Sequence, residues 1–253
     1  MIPASSQQAL LARADLFLLI ADLLRRPSSL RQVRWREARA VLQDLIACAG
    51  LSDAVAVAIG DALLAASVAT PACWSDEYHR LFEGVMLCPP NETAYVRRDK
   101  GAIIGDIGGF YLAFGFRSRE GAGEKPDHIV SQLEFLAVLL VMQANAAGDA
   151  EREGIVEEAL RAFAESHLGE WVIPFTQRLQ DTSELEIYQH IARAVRASLL
   201  ALATGYGLNI VPVQIGLPEP EPQEPYDKCG MDQAGSPVPL TIHGFPVATG
   251  PLH

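Results

Sequence analysis

Apolar residues recur along most of this chain with a spacing of three or four. Leu10, Leu11, Ala14, Phe17, Leu18, Ala21 and Leu24 line one stripe, the pattern that puts side chains on one face of an α-helix. Ser5 and Gln8 have the spacing of a capping box at its start, and Pro27 with two serines ends it. A second helix is predicted over roughly 30–49, closed by Gly50, and a third over roughly 52–67. Thr70-Pro71 is a start signal, because proline gives up no hydrogen bond in a first turn; it opens a helix carrying Trp74, Tyr78, Leu81 and Phe82. Residues 84–98, with Pro89-Pro90, read as a loop. The apolar stretch 102–116 holds Gly105, Gly108 and Gly109. A strand is conceivable there, but a helix is preferred, its glycines letting a neighbour approach closely. A polar loop over 117–125 follows, then a long apolar helix over 127–148 and an amphipathic one over 150–168. A short helix through Trp171, Phe175 and Leu179 comes next, and Ser183-x-x-Glu186 opens a last helix to about Gly205.

After Val211 the pattern stops. Nine of the sixteen prolines fall in residues 212–253, which cannot be helical and should be extended. The expected class is all-α: a single helical domain over 1–211 and a long irregular Pro-rich tail over 212–253. The tail mixes acidic proline-rich sequence with short apolar pieces, which leaves two readings: a passive tail, or one that packs back on the helical domain and competes with a bound partner.

Composition narrows the function. Apolar residues make up 49 % of the chain, enough for a sizeable core, and the formal net charge is −11. An acidic surface releases no counterions from a phosphate backbone, so no nucleic-acid partner is expected; a cationic one would suit. Cys48, Cys73, Cys88 and Cys229 form no CxxC pair and read as reduced thiols. The apolar run 16–20 is bracketed by Asp15 and Asp22 and is too short to span a bilayer. Arg25-Arg26 looks like an export motif, but a polar stretch follows it. A cytoplasmic protein without stable membrane association is expected. None of the six histidines has a zinc-site spacing, GAIIGDIGG lacks the phosphate-loop Lys-Ser/Thr, and there is no GxSxG elbow. No metal, cofactor or catalytic residue is therefore expected.

Four segments, in order, carry a more specific message: DEYHRLFEGVMLCPPNETAYV, GGFYLAFGF, EKPDHIVSQLEFLAVLL and HLGEWVIPFTQRL. Together, over about residues 10–210, they resemble the TorD/DmsD/NarJ family of molybdoenzyme maturation chaperones. The family's Pro-Asp-His motif usually runs into a helix with Glu near the second turn; that position here is Gln132. The resemblance implies an all-helical chaperone for a molybdopterin oxidoreductase. It would bind the twin-arginine signal peptide or the apo form of the catalytic subunit until cofactor insertion. The alternative is a structural accessory subunit retained in a redox enzyme complex. Whether the chain forms a homodimer is left open.

The resemblance also assigns residues. Leu81, Phe82, Pro89, Pro90 and Tyr95 would line a groove, although residues at a helix end running into a proline loop are core by default. Gly109 and Tyr111 match the family's Gly/Tyr-bearing helix, where close packing is the other reading. Glu124, Pro126, Asp127 and His128 would form an acidic rim, although Asp127 also suits the N-cap of the next helix. His167 and Trp171 match the family's His-Leu-x-x-Trp segment and read as structural.

Overall fold

The computed structural model describes residues 6–84, 86–116 and 124–214. Among the described residues nine α-helices follow one another: α1 Gln7–Leu23, α2 Ser29–Ala49, α3 Asp53–Val68, α4 Pro71–Phe82, α5 Lys100–Ala113, α6 Ile129–Asn145, α7 Ala150–Phe163, α8 Gly169–Thr182 and α9 Glu186–Tyr206. A 3₁₀ turn, Glu92–Ala94, interrupts the loop before α5, and no strand occurs among the described residues. The all-α expectation holds. Most of the tail, residues 215–253, lies outside the described residues, and so does its expected contact with the helical domain.

The helices stop where the chain chemistry says they should. Gly50 and Gly207 close α2 and α9 in the left-handed conformation, at φ 66° and 62°, which costs glycine no Cβ clash. The buried Arg13 also donates its Nε–H to the Ala49 carbonyl at 2.9 Å, satisfying an otherwise free acceptor at the end of α2. Helix starts are less faithful to the sequence. α1 is capped by Ser6, whose hydroxyl accepts from the Ala9 N–H at 3.2 Å, instead of by the Ser5–Gln8 pair. α6 is capped by His128 instead of Asp127. α9 starts from Leu185 instead of Ser183.

At that last junction the cap comes from elsewhere in the fold. The Glu77 carboxylate, buried on α4, accepts from the Glu184 N–H at 2.7 Å, the Ser183 hydroxyl at 3.2 Å and the Arg80 Nε–H at 2.7 Å. Burial pushes the Glu77 carboxyl up, but the bonds from Arg80, Glu184 and Ser183 outweigh it and hold the group below its ordinary 4.5. A carboxyl depressed in the folded state contributes stability that is present above its unfolded value and lost as pH falls through the folded one. Glu77→Gln should therefore cost about 1–3 kcal/mol at neutral pH. In urea titrations that cost should shrink as pH falls below about 4.5, the group's ordinary value. A pH-independent cost would remove the carboxylate from this role.

α1 packs along α6, α9 lies against α3 and α8, and α2 braces α1 and α3. Aromatic side chains mark the interior. Trp35, Trp74, Tyr188, Phe82 and Tyr78 form one chain of ring contacts, Tyr95, Trp171 and Phe175 a second, and Phe110, Tyr111, Phe135 and Phe163 a third. Between α7 and α8 the helix does not break. Residues Ala164–Leu168 form a π turn, so the two predicted helices are one rod with a wide turn inside it. Helix α5 differs from its expected role. A Cβ added at Gly105, Gly108 or Gly109 would meet nothing within 4 Å among the described residues, so no described neighbour packs closely on these glycines.

Candidate functional site

Two loops far apart in sequence are stitched together at the N-terminus of α6. Asn91 and His128 form an antiparallel bridge, the Glu92 N–H donates to the Asp127 carbonyl at 2.9 Å, and the Ile129 N–H donates to the Pro90 carbonyl at 2.9 Å. The Asp127 carboxylate accepts from the Asn91 amide at 3.0 Å and the Thr93 hydroxyl at 2.7 Å. It is spent inside the protein, which is why it neither caps α6 nor reaches the surface. The Tyr111 hydroxyl, from α5, donates to the Pro126 carbonyl at 3.0 Å and ties a third element to the junction.

Beneath the junction lies a buried polar network. Glu92 is fully enclosed and accepts from the Gln132 amide at 2.6 Å, while His167 Nδ1 lies 3.1 Å from both its oxygens. Arg98 reaches Glu92 at 3.4 Å and Glu170 at 3.1 Å from the protein surface. The Gln132 carbonyl accepts from Trp171 Nε1 at 3.0 Å. An amide is required at 132: it donates to one neighbour and accepts from the other, and a carboxylate would have no proton for Glu92. His167 Nε2 sits 3.4 Å from Asp106 on α5, without hydrogen-bond alignment.

His128 is the pivot between this interior and the surface. Its Nδ1 accepts from the Val130 N–H at 3.2 Å, so the ring proton of the neutral form is on Nε2, 3.7 Å from Glu124. Burial lowers its pKa, with Glu124 and Asp127 pulling the other way. Glu124 is half-exposed and begins a rim that continues in Glu134 on α6 and Glu83 at the end of α4. That rim is already engaged by guanidinium groups. Arg25 is ion-paired with Glu134, and Arg26 lies 3.9 Å from Glu83. The Tyr78 hydroxyl, buried behind the rim and facing Glu124 and Glu83, is pushed up to about 12.

An apolar row leads away from the rim. On α5, Ile104, Gly108 and Leu112 are spaced four apart, and Phe116 follows beyond the helix end, past Gly115 at φ 82°; the Ile104, Leu112 and Phe116 side chains are 37 %, 57 % and 44 % exposed. Gly101, Gly105, Gly109 and Ala113 form a smooth row beside them. Phe116 sits 6.4 Å from the ring of Phe135, the neighbour of Glu134.

The residues picked from the sequence divide by depth. Glu124, Gly109 and, in part, Pro126 and Pro89 are accessible; Leu81, Phe82, Pro90, Tyr95, Tyr111, Asp127 and His128 are buried. Phe82 packs edge-on against Tyr78 and Tyr188, and Tyr95 against Trp171 and Phe175. These are core side chains beneath the site. Burial pushes the neighbouring Cys88 thiol up to about 12, which removes it as a nucleophile. Sequence reading missed Glu83, Glu92 and Glu134 and the outward row of α5. Glu92 carried one signal, an acidic residue set among apolar and proline residues; the others look like ordinary surface positions. Among the described residues no three His, Cys, Asp or Glu side chains converge as a metal site, and no helix is long and apolar enough to cross a membrane.

Comparison with known proteins adds a family. Residues 47–177 match the family described as nitrate reductase delta subunit, a span that contains the loop junction, α5, the Glu92 network and all three rim carboxylates. The chain is 34 % identical over 85 residues to the chlorate reductase assembly chaperone protein of Ideonella dechloratans, covering 34 % of this chain and 44 % of that protein. It is 34 % identical over 83 residues to the selenate reductase assembly chaperone protein of Thauera selenatis, covering 33 % and 43 %. The chain thus spans less than half the length of the curated relatives it matches.

Proposed function

Since the chain belongs to the nitrate reductase delta subunit family, we propose that it is a maturation chaperone for the catalytic subunit of a molybdopterin oxidoreductase. In this reading it binds the subunit's twin-arginine signal peptide, or its apo form, in the cytoplasm and releases it after cofactor insertion. The names of the two relatives, both assembly chaperones of reductases, support the general role. The observation that carries the finer reading is the pairing of Arg25 and Arg26 with Glu134 and Glu83. The rim takes two adjacent arginines from the chain itself, so it has the geometry to take two from a client. The leucine-rich run that follows such a pair would lie along Ile104, Gly108, Leu112 and Phe116.

Magnitudes favour this division of labour. Exposed ion pairs contribute about 0–1 kcal/mol each. Burying three or four leucines contributes roughly 5–10 kcal/mol, less about 2–5 for ordering the peptide, so micromolar binding, about −8 kcal/mol, is within reach. The α5 row sets affinity; the rim sets encounter rate and selectivity.

Calorimetry of the full chain with a synthetic twin-arginine signal peptide tests the first part, and stopped-flow binding of the same peptide the second. Leu112→Asp with Phe116→Asp should weaken binding at least tenfold with helicity unchanged, since both side chains are exposed in the free protein. Glu124→Gln should slow association and flatten its salt dependence, with little effect on dissociation. Wild-type affinity in the folded α5 variant would take the client off this face.

A further inference from the structure

A second recognition surface lies away from the acidic rim and has the opposite charge. Helices α2 and α3 enclose a groove of about 470 Å³. Its floor is small and apolar: Ala40, Ala56 and Gly60, with Leu42 beneath. One wall is cationic, from Arg36 and Arg39, and the neutral Gln43 shares their face of α2 at i, i+3 and i+7. The other wall is apolar. Val57 and Leu64 line it, 61 % and 42 % exposed, and Val68 continues their stripe of α3 outside the groove at 73 %; the only charged residues of α3 are Asp53 and Asp61. A helix this apolar on all sides normally has all of its faces covered.

The charge of the cationic wall is local and strong. Residues 25–39 hold six arginines and one glutamate in a chain of net charge −11. Most of the six are engaged: Arg25, Arg26 and Arg31 with carboxylates, and Arg36 through one donor to the Ser67 carbonyl at 3.0 Å. Arg39 makes no hydrogen bond or ion pair among the described residues, and Arg36 keeps its remaining donors. The acid in the groove, Asp61, lies 3.9 Å from His190 on α9.

From this geometry we infer that the α2–α3 groove docks an acidic amphipathic segment of a partner protein. Carboxylates three or four apart on that segment meet Arg36 and Arg39, and its leucine- or valine-type side chains lie on Val57 and Leu64. The chemistry selects a peptide over the other polyanions. A nucleic acid would leave the apolar wall without a partner, find no aromatic ring among the residues lining the groove for a base to stack on, and be repelled by the net charge. A lipid surface is flat, whereas the arginines line a concavity. The inference does not depend on the signal-peptide reading, because it uses other helices and the opposite charge.

The test titrates the full chain with a 14-residue helical peptide carrying leucines on one face and glutamates along its flank, and with its glutamine analogue. Micromolar binding is expected for the acidic peptide, at least tenfold weaker for the analogue and at least tenfold weaker at high salt. Arg36→Glu with Arg39→Glu should abolish it, and Leu64→Asp should weaken it at least tenfold. Arg39→Glu alone, at a side chain that bonds to nothing described, serves if the double variant loses helicity. The arginine variants should leave twin-arginine peptide binding unchanged. Absence of binding at millimolar peptide overturns the inference, as does binding that survives the charge reversals. So does stronger arginine-dependent binding of RNA or anionic vesicles at the same salt. Concentration-dependent dimerisation that the double variant abolishes would assign the groove to a second copy of the chain instead.

Discussion

Glu92→Ala should destabilise the folded chain by about 3–5 kcal/mol, the usual consequence of deleting one member of a buried polar group. Its carboxyl is the acceptor on which Gln132 and His167 both converge, and none of the three is exposed to solvent. Removing it leaves an amide donor and an imidazole nitrogen facing a cavity that excludes bulk water. It also frees the 3₁₀ turn that Glu92 begins, whose backbone N–H holds the Asp127 loop. On a total stability of about 5–15 kcal/mol such a loss is read directly as a fall in the urea midpoint. Glu92→Gln keeps one acceptor and should lose less. A loss under about 1 kcal/mol for the alanine variant would mean the network contributes little, and that the loop is held by its backbone bonds alone.

Phe82→Ala should lose about 3–5 kcal/mol, for a different reason. From the sequence Phe82 is a groove residue, where truncation would weaken a client. In the fold its ring is buried between Tyr78 and Tyr188, with centroids 5.1 and 5.5 Å away, at the meeting of α4 and α9. Truncation leaves a cavity lined by aromatic faces that cannot collapse to fill it. Thermal and urea unfolding should both shift strongly, and any lost peptide affinity should track the unfolded fraction. A variant of native stability that binds the client peptide poorly would restore Phe82 to the binding surface.

The two cases show what local sequence can carry. Helix positions were legible because the three-to-four spacing of apolar residues and the Gly and Pro punctuation are local signals: Gly50 closes α2 and Thr70-Pro71 opens α4 as read. The N-caps were not legible wherever a cap-forming side chain had a partner elsewhere. Asp127 is taken by Asn91 and Thr93, and Ser183 by Glu77, 106 residues before it. Depth was the other blind spot. Leu81, Phe82 and Tyr95 carry the same apolar signal whether they line a groove or fill the core beneath it. On α5 the difference ran the other way: glycines read as a close contact meet no neighbour among the described residues. Whether Glu83 and Glu134 were more than surface charges depended on Arg25 and Arg26, and that pairing exists only once α1, α4 and α6 are assembled.

The wide turn at Ala164–Leu168 corrects a phase error written into the sequence. Phe163, His167, Trp171, Phe175 and Leu179 are spaced strictly four apart, and all five are buried. At 3.6 residues per turn, each step of four overshoots a full turn by about 40°, so four steps accumulate about 160° of drift. In unbroken α-geometry the row would wind from the interior of the protein nearly to its opposite side. The π turn packs more residues into one revolution and takes back part of that angle where the row starts to stray. His167 can therefore face Glu92 while Trp171, one step later, still faces Gln132. A run of large residues at unvarying intervals of four, longer than an ordinary helix can keep on one side, is thus itself a readable mark of a helix wound too wide.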